Sequence, residues 1–246
     1  MTRKITSLPA HIHARAEWAS YLAFVKLPAL PEQTAPFGFK SFKAVLRMLA
    51  LDLGIMLVLV SVALLALMVG VDLPQTALSG FEIDLQLALM VVIAAPLAEE
   101  ILFRGWLSGR PGHLLAFLVM LSGGTAVTLS FAARDQGQYL AVLVATAFLA
   151  FLAILLLRNR PALGWFRAIF PIIFWLSTFA FASIHLLNYE EGSLAILLPL
   201  VLPQFVLGTI LAYLRVHYGL WSCVLLHAAH NGLILGVVAL ASSFGS

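Results

Sequence analysis

From residue 45 onward the chain alternates long apolar runs with short polar breaks. Seven runs stand out, near 45–70, 85–107, 113–133, 138–157, 166–188, 193–214 and 219–243. A run of about 20 apolar residues, rising about 1.5 Å per residue as a helix, crosses the roughly 30 Å hydrocarbon layer of a bilayer. These runs are too long for strands, and the short alternating segments of a β-barrel are missing. The pattern therefore predicts an all-α polytopic transmembrane helix bundle of about seven spans.

Residues 1–44 read differently. Pro28, Pro31, Pro36 and Gly38 interrupt them, and Arg3, Lys4, Arg15, Lys26, Lys40 and Lys43 are scattered between. They form a juxtamembrane segment with no signal-peptide pattern. Residues 16–27 predict a short helix lying at the membrane surface. Residues 45–246 read as a single transmembrane domain, without an internal repeat.

Composition strengthens this picture. Of 246 residues, 62% are apolar and only 10% charged, and mean hydropathy is +1.03; soluble domains sit near 45–50% apolar and about 25% charged. The formal charge of +3 is too small and too dispersed for a nucleic-acid partner. The lone Cys223 excludes an internal disulfide and is expected to be a small packed residue. The basic residues give direction. With these spans, twelve Lys and Arg fall on one side, among them Arg47, Arg110, Arg158, Arg160, Arg167 and Arg215, and only Arg134 falls on the other. The positive-inside bias then makes the N-terminus cytoplasmic and the C-terminus external, in a cell (inner) membrane.

Charged groups inside spans are costly and point to function. The second run carries Ala95-Pro96-Leu97-Ala98-Glu99-Glu100-Ile101-Leu102-Phe103-Arg104. Glu100 and Arg104 are four apart, share a helix face and can pair. Glu99 is rotated by about 100° and is left for another task. Pro96 removes a backbone donor one turn earlier. In the seventh run His227 and Asn231 face one way, and by residue count His227 and Glu99 lie at similar depth. His230, three residues on from His227, reaches the same site or packs. Span five ends in Phe181-Ala182-Ser183-Ile184-His185. Counting puts His185 about 5 Å from the outer end, off the layer of Glu99 and His227, unless the span starts at Pro171 and tilts. Asp52 is expected to pair locally near Arg47. Gly232 and Gly236 read as a helix-contact face. Pro199, Pro203 and Gln204 are expected to kink and hydrate span six. His11, His13 and His113 are surface candidates, and His217 a loop residue.

A carboxylate, two histidines and an asparagine in one hydrated pocket suit peptide hydrolysis by activated water. Glu99 serves as general base, His185 helps to position the water, and His227 and Asn231 donate to the developing oxyanion. Cofactors are expected to be none. Zinc on Glu99, His185, His227 and, as a further candidate ligand, His230 is the nearest competitor, ranked second because no H-E-x-x-H occurs.

These residues resemble the CPBP family of intramembrane proteases, which includes the CAAX prenyl endopeptidases and bacterial relatives. The resemblance rests on Glu99-Glu100-…-Arg104, Phe181-…-His185 and His227-…-Asn231, in that order, within about residues 85–243. It implies that Glu99 and His185 activate water, that His227 and Asn231 stabilise the oxyanion, and that Glu100 and Arg104 support the site. One departure is clear. Glu99 and His185 are 86 positions apart, whereas family members commonly carry these motifs on consecutive helices, so spans three and four look like an inserted pair. The expected partners are the bilayer and a peptide or membrane-protein substrate, lipidated or not. The competing readings are a non-proteolytic bacteriocin-immunity or scaffold protein of the same fold, and a proton-coupled transporter.

Overall fold

The computed structural model describes residues 13–76, 82–132 and 136–245. Arg3, Lys4, His11, Arg134 and Asp135 lie outside them. The described residues are helical, with a single isolated bridge between Thr76 and Tyr189. In lipid every backbone polar group must be satisfied within the segment, which is why apolar runs of this length settle as helices.

The helices follow the apolar runs closely: α1 (Ala14–Lys26), α2 (Phe39–Met68), α3 (Leu85–Leu89), a π-helical turn (Met90–Ala94), α4 (Ala95–Arg104), a 3-10 turn (Gly105–Ser108), α5 (Pro111–Ala132), α6 (Gln136–Leu156), α7 (Gly164–Ala168), α8 (Phe170–Ile184), a 3-10 turn (His185–Asn188), α9 (Leu194–Leu200), α10 (Leu202–Tyr218) and α11 (Leu220–Gly245). Among the described residues six stretches are long and apolar enough to cross a membrane, and α9 with α10, bent by 41°, makes a seventh if the pair is counted as one broken span. Pro199 and Pro203 flank that bend. Proline removes backbone donors and cannot continue a straight helix.

The chain divides into two compact units, one comprising residues 1–104 and 171–246, the other 105–170. In the smaller unit α5 and α6 form an antiparallel hairpin. Their backbones approach closely at small residues: a Cβ on Gly123 would strike Thr146, and one on Gly112 would come within 2.9 Å of the Ala153 carbonyl. Such small-residue contacts are how helices associate in lipid, where apolar side chains gain little from leaving their surroundings.

In the larger unit α10 is the central helix, buried almost continuously from Leu207 to Val216. Around it pack α1, α2, α4 and α11. Here the sequence expectations need correction. Arg215 and His217 are not loop residues, because α10 continues through them to Tyr218. Arg215 is buried and its Nε donates to the Arg104 carbonyl at 2.8 Å. Helix α1 does more than lie on a surface: Glu17, Tyr21 and Phe24 are buried. Glu17 accepts from the Tyr213 and Tyr218 hydroxyls at 2.8 and 2.6 Å, and Arg47 lies 3.8 Å from it. Burial holds the Tyr21 phenol above its usual range, so it stays a neutral hydroxyl bonded to Thr209 at 2.6 Å. Arg47 thus serves Glu17, and the expected local pairing of Asp52 with Arg47 is replaced by a 2.6 Å bond from His230. His113 is half-buried against Ser108, 2.6 Å away.

Candidate functional site

The site begins with an irregularity in the second span. Ala95 N–H reaches back five residues to the Met90 carbonyl, the π register. The next donor in that register would serve the Val91 carbonyl, but residue 96 is proline and has none. Asn231 of α11 takes its place, donating its Nδ2 to Val91 O at 2.9 Å. Gly232 faces Val92, and a Cβ there would make an ordinary van der Waals contact at 3.4 Å; Gly236 faces open space. Single π turns inside α-helices gather at functional sites.

One turn further, α4 presents two carboxylates to different neighbours, as their 100° separation requires. Glu100 is completely buried. Its Oε1 accepts from Arg104 at 2.8 Å and from His227 Nδ1 at 2.9 Å. The second of these bonds was invisible in the sequence, where Glu100 belonged to Arg104 alone. Arg104 is also fully buried, its guanidinium 3.7 Å from the centre of the Phe181 ring. That ring packs edge-on against both His185 and His227. The motif residue Phe181 therefore braces the arginine and both imidazoles.

Glu99 stands apart from this chain. Its side chain keeps 29% of its surface exposed, yet Oε2 is buried without a hydrogen-bond partner. Two imidazole nitrogens face that oxygen: His185 Nε2 and His227 Nε2, each at 3.9 Å. The expected depth mismatch of His185 is absent. Helix α8 starts at Phe170, with 164–168 forming the separate α7, and the 3-10 turn after Ile184 brings His185 to Glu99.

Both imidazoles are held by their other nitrogen. His185 Nδ1 lies 2.7 Å from the Phe181 carbonyl, which can only accept. His227 Nδ1 lies 2.9 Å from Glu100, whose pairing with Arg104 marks it as an ionised acceptor. In each ring the proton therefore belongs on Nδ1, and in the neutral form Nε2 offers a lone pair towards Glu99. Such an arrangement can bind water against Glu99 and move one of its protons.

The remaining candidates fall elsewhere. His230 bonds Asp52 and not Glu99. Cys223 is nearer: it is buried against Glu100, with its Sγ also directed to the Leu220 carbonyl at 3.1 Å. Among the described residues no group of three His, Cys, Asp or Glu side chains is arranged to hold a metal ion. Zinc ligands at about 2.0–2.2 Å in a tetrahedron lie about 3.3 Å from each other, closer than the 3.9 Å found between Glu99 Oε2 and each imidazole. As placed, these side chains do not fit a zinc cage.

A family model described as type II CAAX prenyl endopeptidase Rce1-like matches residues 80–233. That stretch contains Glu99, Glu100, Arg104, Phe181, His185, His227, His230 and Asn231, and leaves α1 and α2 outside. No curated protein and no solved structure matches the chain.

Proposed function

The chain belongs to the Rce1-like family of type II CAAX prenyl endopeptidases, and from that premise we propose that it is an intramembrane endopeptidase of the glutamate type. One observation carries the reading: three separate elements bring His185 Nε2 and His227 Nε2 to the same unpartnered oxygen of Glu99.

Glu99 takes a proton from a water molecule that His185 orients, and the hydroxide so formed adds to the scissile carbonyl. The carbonyl oxygen becomes an oxyanion. Asn231 has a second amide proton beyond the one given to Val91 and donates it there. His227, held through its Nδ1–H by Glu100, adds an Nε2–H when its ring carries a second proton. The proton held by Glu99 then goes to the leaving nitrogen, the C–N bond breaks, and a carboxylic acid and an amine depart. No covalent enzyme intermediate and no metal is needed. The substrate is a peptide or protein segment at the membrane, of which a prenylated C-terminal tail is the class the family's description names. The Lys and Arg bias of the loops supports a cytoplasmic N-terminus in a cell membrane.

The test is Glu99→Gln, which keeps shape and hydrogen bonding but removes the base. Purified in detergent and given an internally quenched farnesylated CAAX peptide, it should lose at least about 10²-fold in kcat while melting at the wild-type temperature. Undiminished cleavage by this variant would sink the mechanism.

A further inference from the structure

Within five residues, three side chains of α11 tie it to three different elements. His227 bonds Glu100 of α4 at 2.9 Å, and Asn231 bonds the Val91 carbonyl of the π turn at 2.9 Å. His230 bonds Asp52 of α2 at 2.6 Å. The first two residues have parts in the reaction. The third pair has none, and it is the shortest of the three bonds. Asp52 is fully buried inside the α2 span, and its Oδ1 has no hydrogen-bond partner among the described residues. A carboxylate at such a place is a functional feature until shown otherwise. It also lies outside the stretch matched by the family model.

The helical angle tells what the pair can do. At about 100° per residue, His230 lies about 60° to one side of His227 and Asn231 about 40° to the other. The two bonds therefore grip α11 on both flanks of His227. With one grip released the helix can roll. A side chain reaches about 6 Å from a helix axis, so a roll of about 10° moves its tip by about 1 Å. Displacements of that size can change a rate by about 10²-fold.

We propose that Asp52 and His230 are a positioning pair that fixes the rotation of α11, and through it the setting of His227 and Asn231 towards Glu99. The proposal rests on the proteolytic reading of that site. His230 acts through its Nδ1–H donor alone, and neither residue touches substrate.

Four variants test it: Asp52→Leu, His230→Leu, the double Asp52→Leu/His230→Leu, and His230→Asn. Asparagine sets its amide nitrogen where the ring Nδ1 was and keeps the donor. Each is assayed in detergent with the farnesylated CAAX peptide, and ring 15N spectra are recorded from histidine-labelled samples, with the His227 signal identified by its loss in His227→Asn. Asp52→Leu should lower kcat by about 20- to 100-fold with KM within about twofold. His230→Asn should stay within about threefold of wild type. The double leucine variant leaves no unpaired charge and should fold, yet remain as slow as Asp52→Leu. The His227 signal should shift in Asp52→Leu and stay put in His230→Asn. Should Asp52→Leu fail to fold, the double variant and His230→Asn carry the same test. An unmoved kcat and an unmoved His227 signal in the leucine variants would overturn the proposal. So would full activity of the double variant, which would make the pair mere packing. His230→Asn as slow as His230→Leu would give the ring a chemical part and overturn it as well. The spectra decide even if the wild-type protein leaves the peptide intact, a result that counts against the proteolytic reading alone.

Discussion

Replacing Glu100 by leucine removes the centre of the Arg104–Glu100–His227 chain without opening a large void. Arg104 then keeps its charge, with no exposed side-chain surface and without the oxygen 2.8 Å away that neutralised it. The Phe181 ring at 3.7 Å remains, but a desolvated cation–π contact contributes only about 2 kcal/mol. Breaking one side of a buried ion pair costs about 3–5 kcal/mol, and loss of the His227 acceptor adds about 1 kcal/mol. For a chain of this size each kcal/mol lowers the melting temperature by about 2–4 °C. The expected fall is therefore about 8–24 °C, read by intrinsic fluorescence on heating in detergent. Glu100→Gln, which keeps one neutral acceptor, should lose roughly half as much. The double variant Glu100→Leu/Arg104→Leu removes both charges and should recover most of the stability. It should not recover cleavage, because His227 still lacks the bond that orients it. If Glu100→Leu melts within about 2 °C of wild type, Arg104 does not depend on Glu100, and the electrostatic account of the site fails.

Three further outcomes are expected. Gly208→Val should lower the melting temperature and impair cleavage, because even a Cβ there would lie 3.1 Å from Phe181 and 3.2 Å from Arg104, and overpacking of this kind costs about 1–3 kcal/mol; wild-type behaviour would mean that α10 can move aside. Cys223→Ala should cleave the CAAX peptide at the wild-type rate, since the proposed mechanism gives the buried thiol no part, and a dead variant would point to a thiol mechanism instead. Treatment with 1,10-phenanthroline or EDTA should leave the rate unchanged, whereas loss of activity restored by zinc would favour the metal-dependent form.

Local pairings were legible in the sequence, and long-range ones were not. The i,i+4 spacing of Glu100 and Arg104 predicted their bond, and the 100° rotation of Glu99 predicted its separation from them. Hydropathy located every span, because lipid leaves the backbone no choice but helix. It misjudged the end of the sixth run at 214, since Arg215 and His217 look like a loop until the bond of Arg215 to the Arg104 carbonyl of α4 and the packing of His217 on Phe24 of α1 are known. Asp52 looked tied to Arg47 by proximity along the chain. In the folded protein Arg47 turns to Glu17, and Asp52 meets a histidine 178 positions away. A carboxylate oxygen also accepts more than one donor, so assigning Glu100 to Arg104 concealed its bond to His227.

Pro96 joins these levels most directly. Its missing backbone donor is plain in the sequence, and the π register turns that loss into a free carbonyl for Asn231. Pro96→Ala restores a backbone donor. That donor competes with Asn231 for Val91, or lets the turn relax to the α register with Val92. Relaxation removes one residue's worth of bulge and rotates α3 against α4 by about 100°. Alanine also removes an interior-proline penalty of about 3 kcal/mol. The variant should then melt as high as the wild type or higher while kcat falls at least about tenfold, because Asn231 is no longer anchored at the Val91 carbonyl. That combination, greater stability with less activity, is the signature of a strained turn kept for the reaction. A Pro96→Ala protein as active as the wild type would show that Asn231 finds its place without the proline, and the π turn would lose its part in building the site.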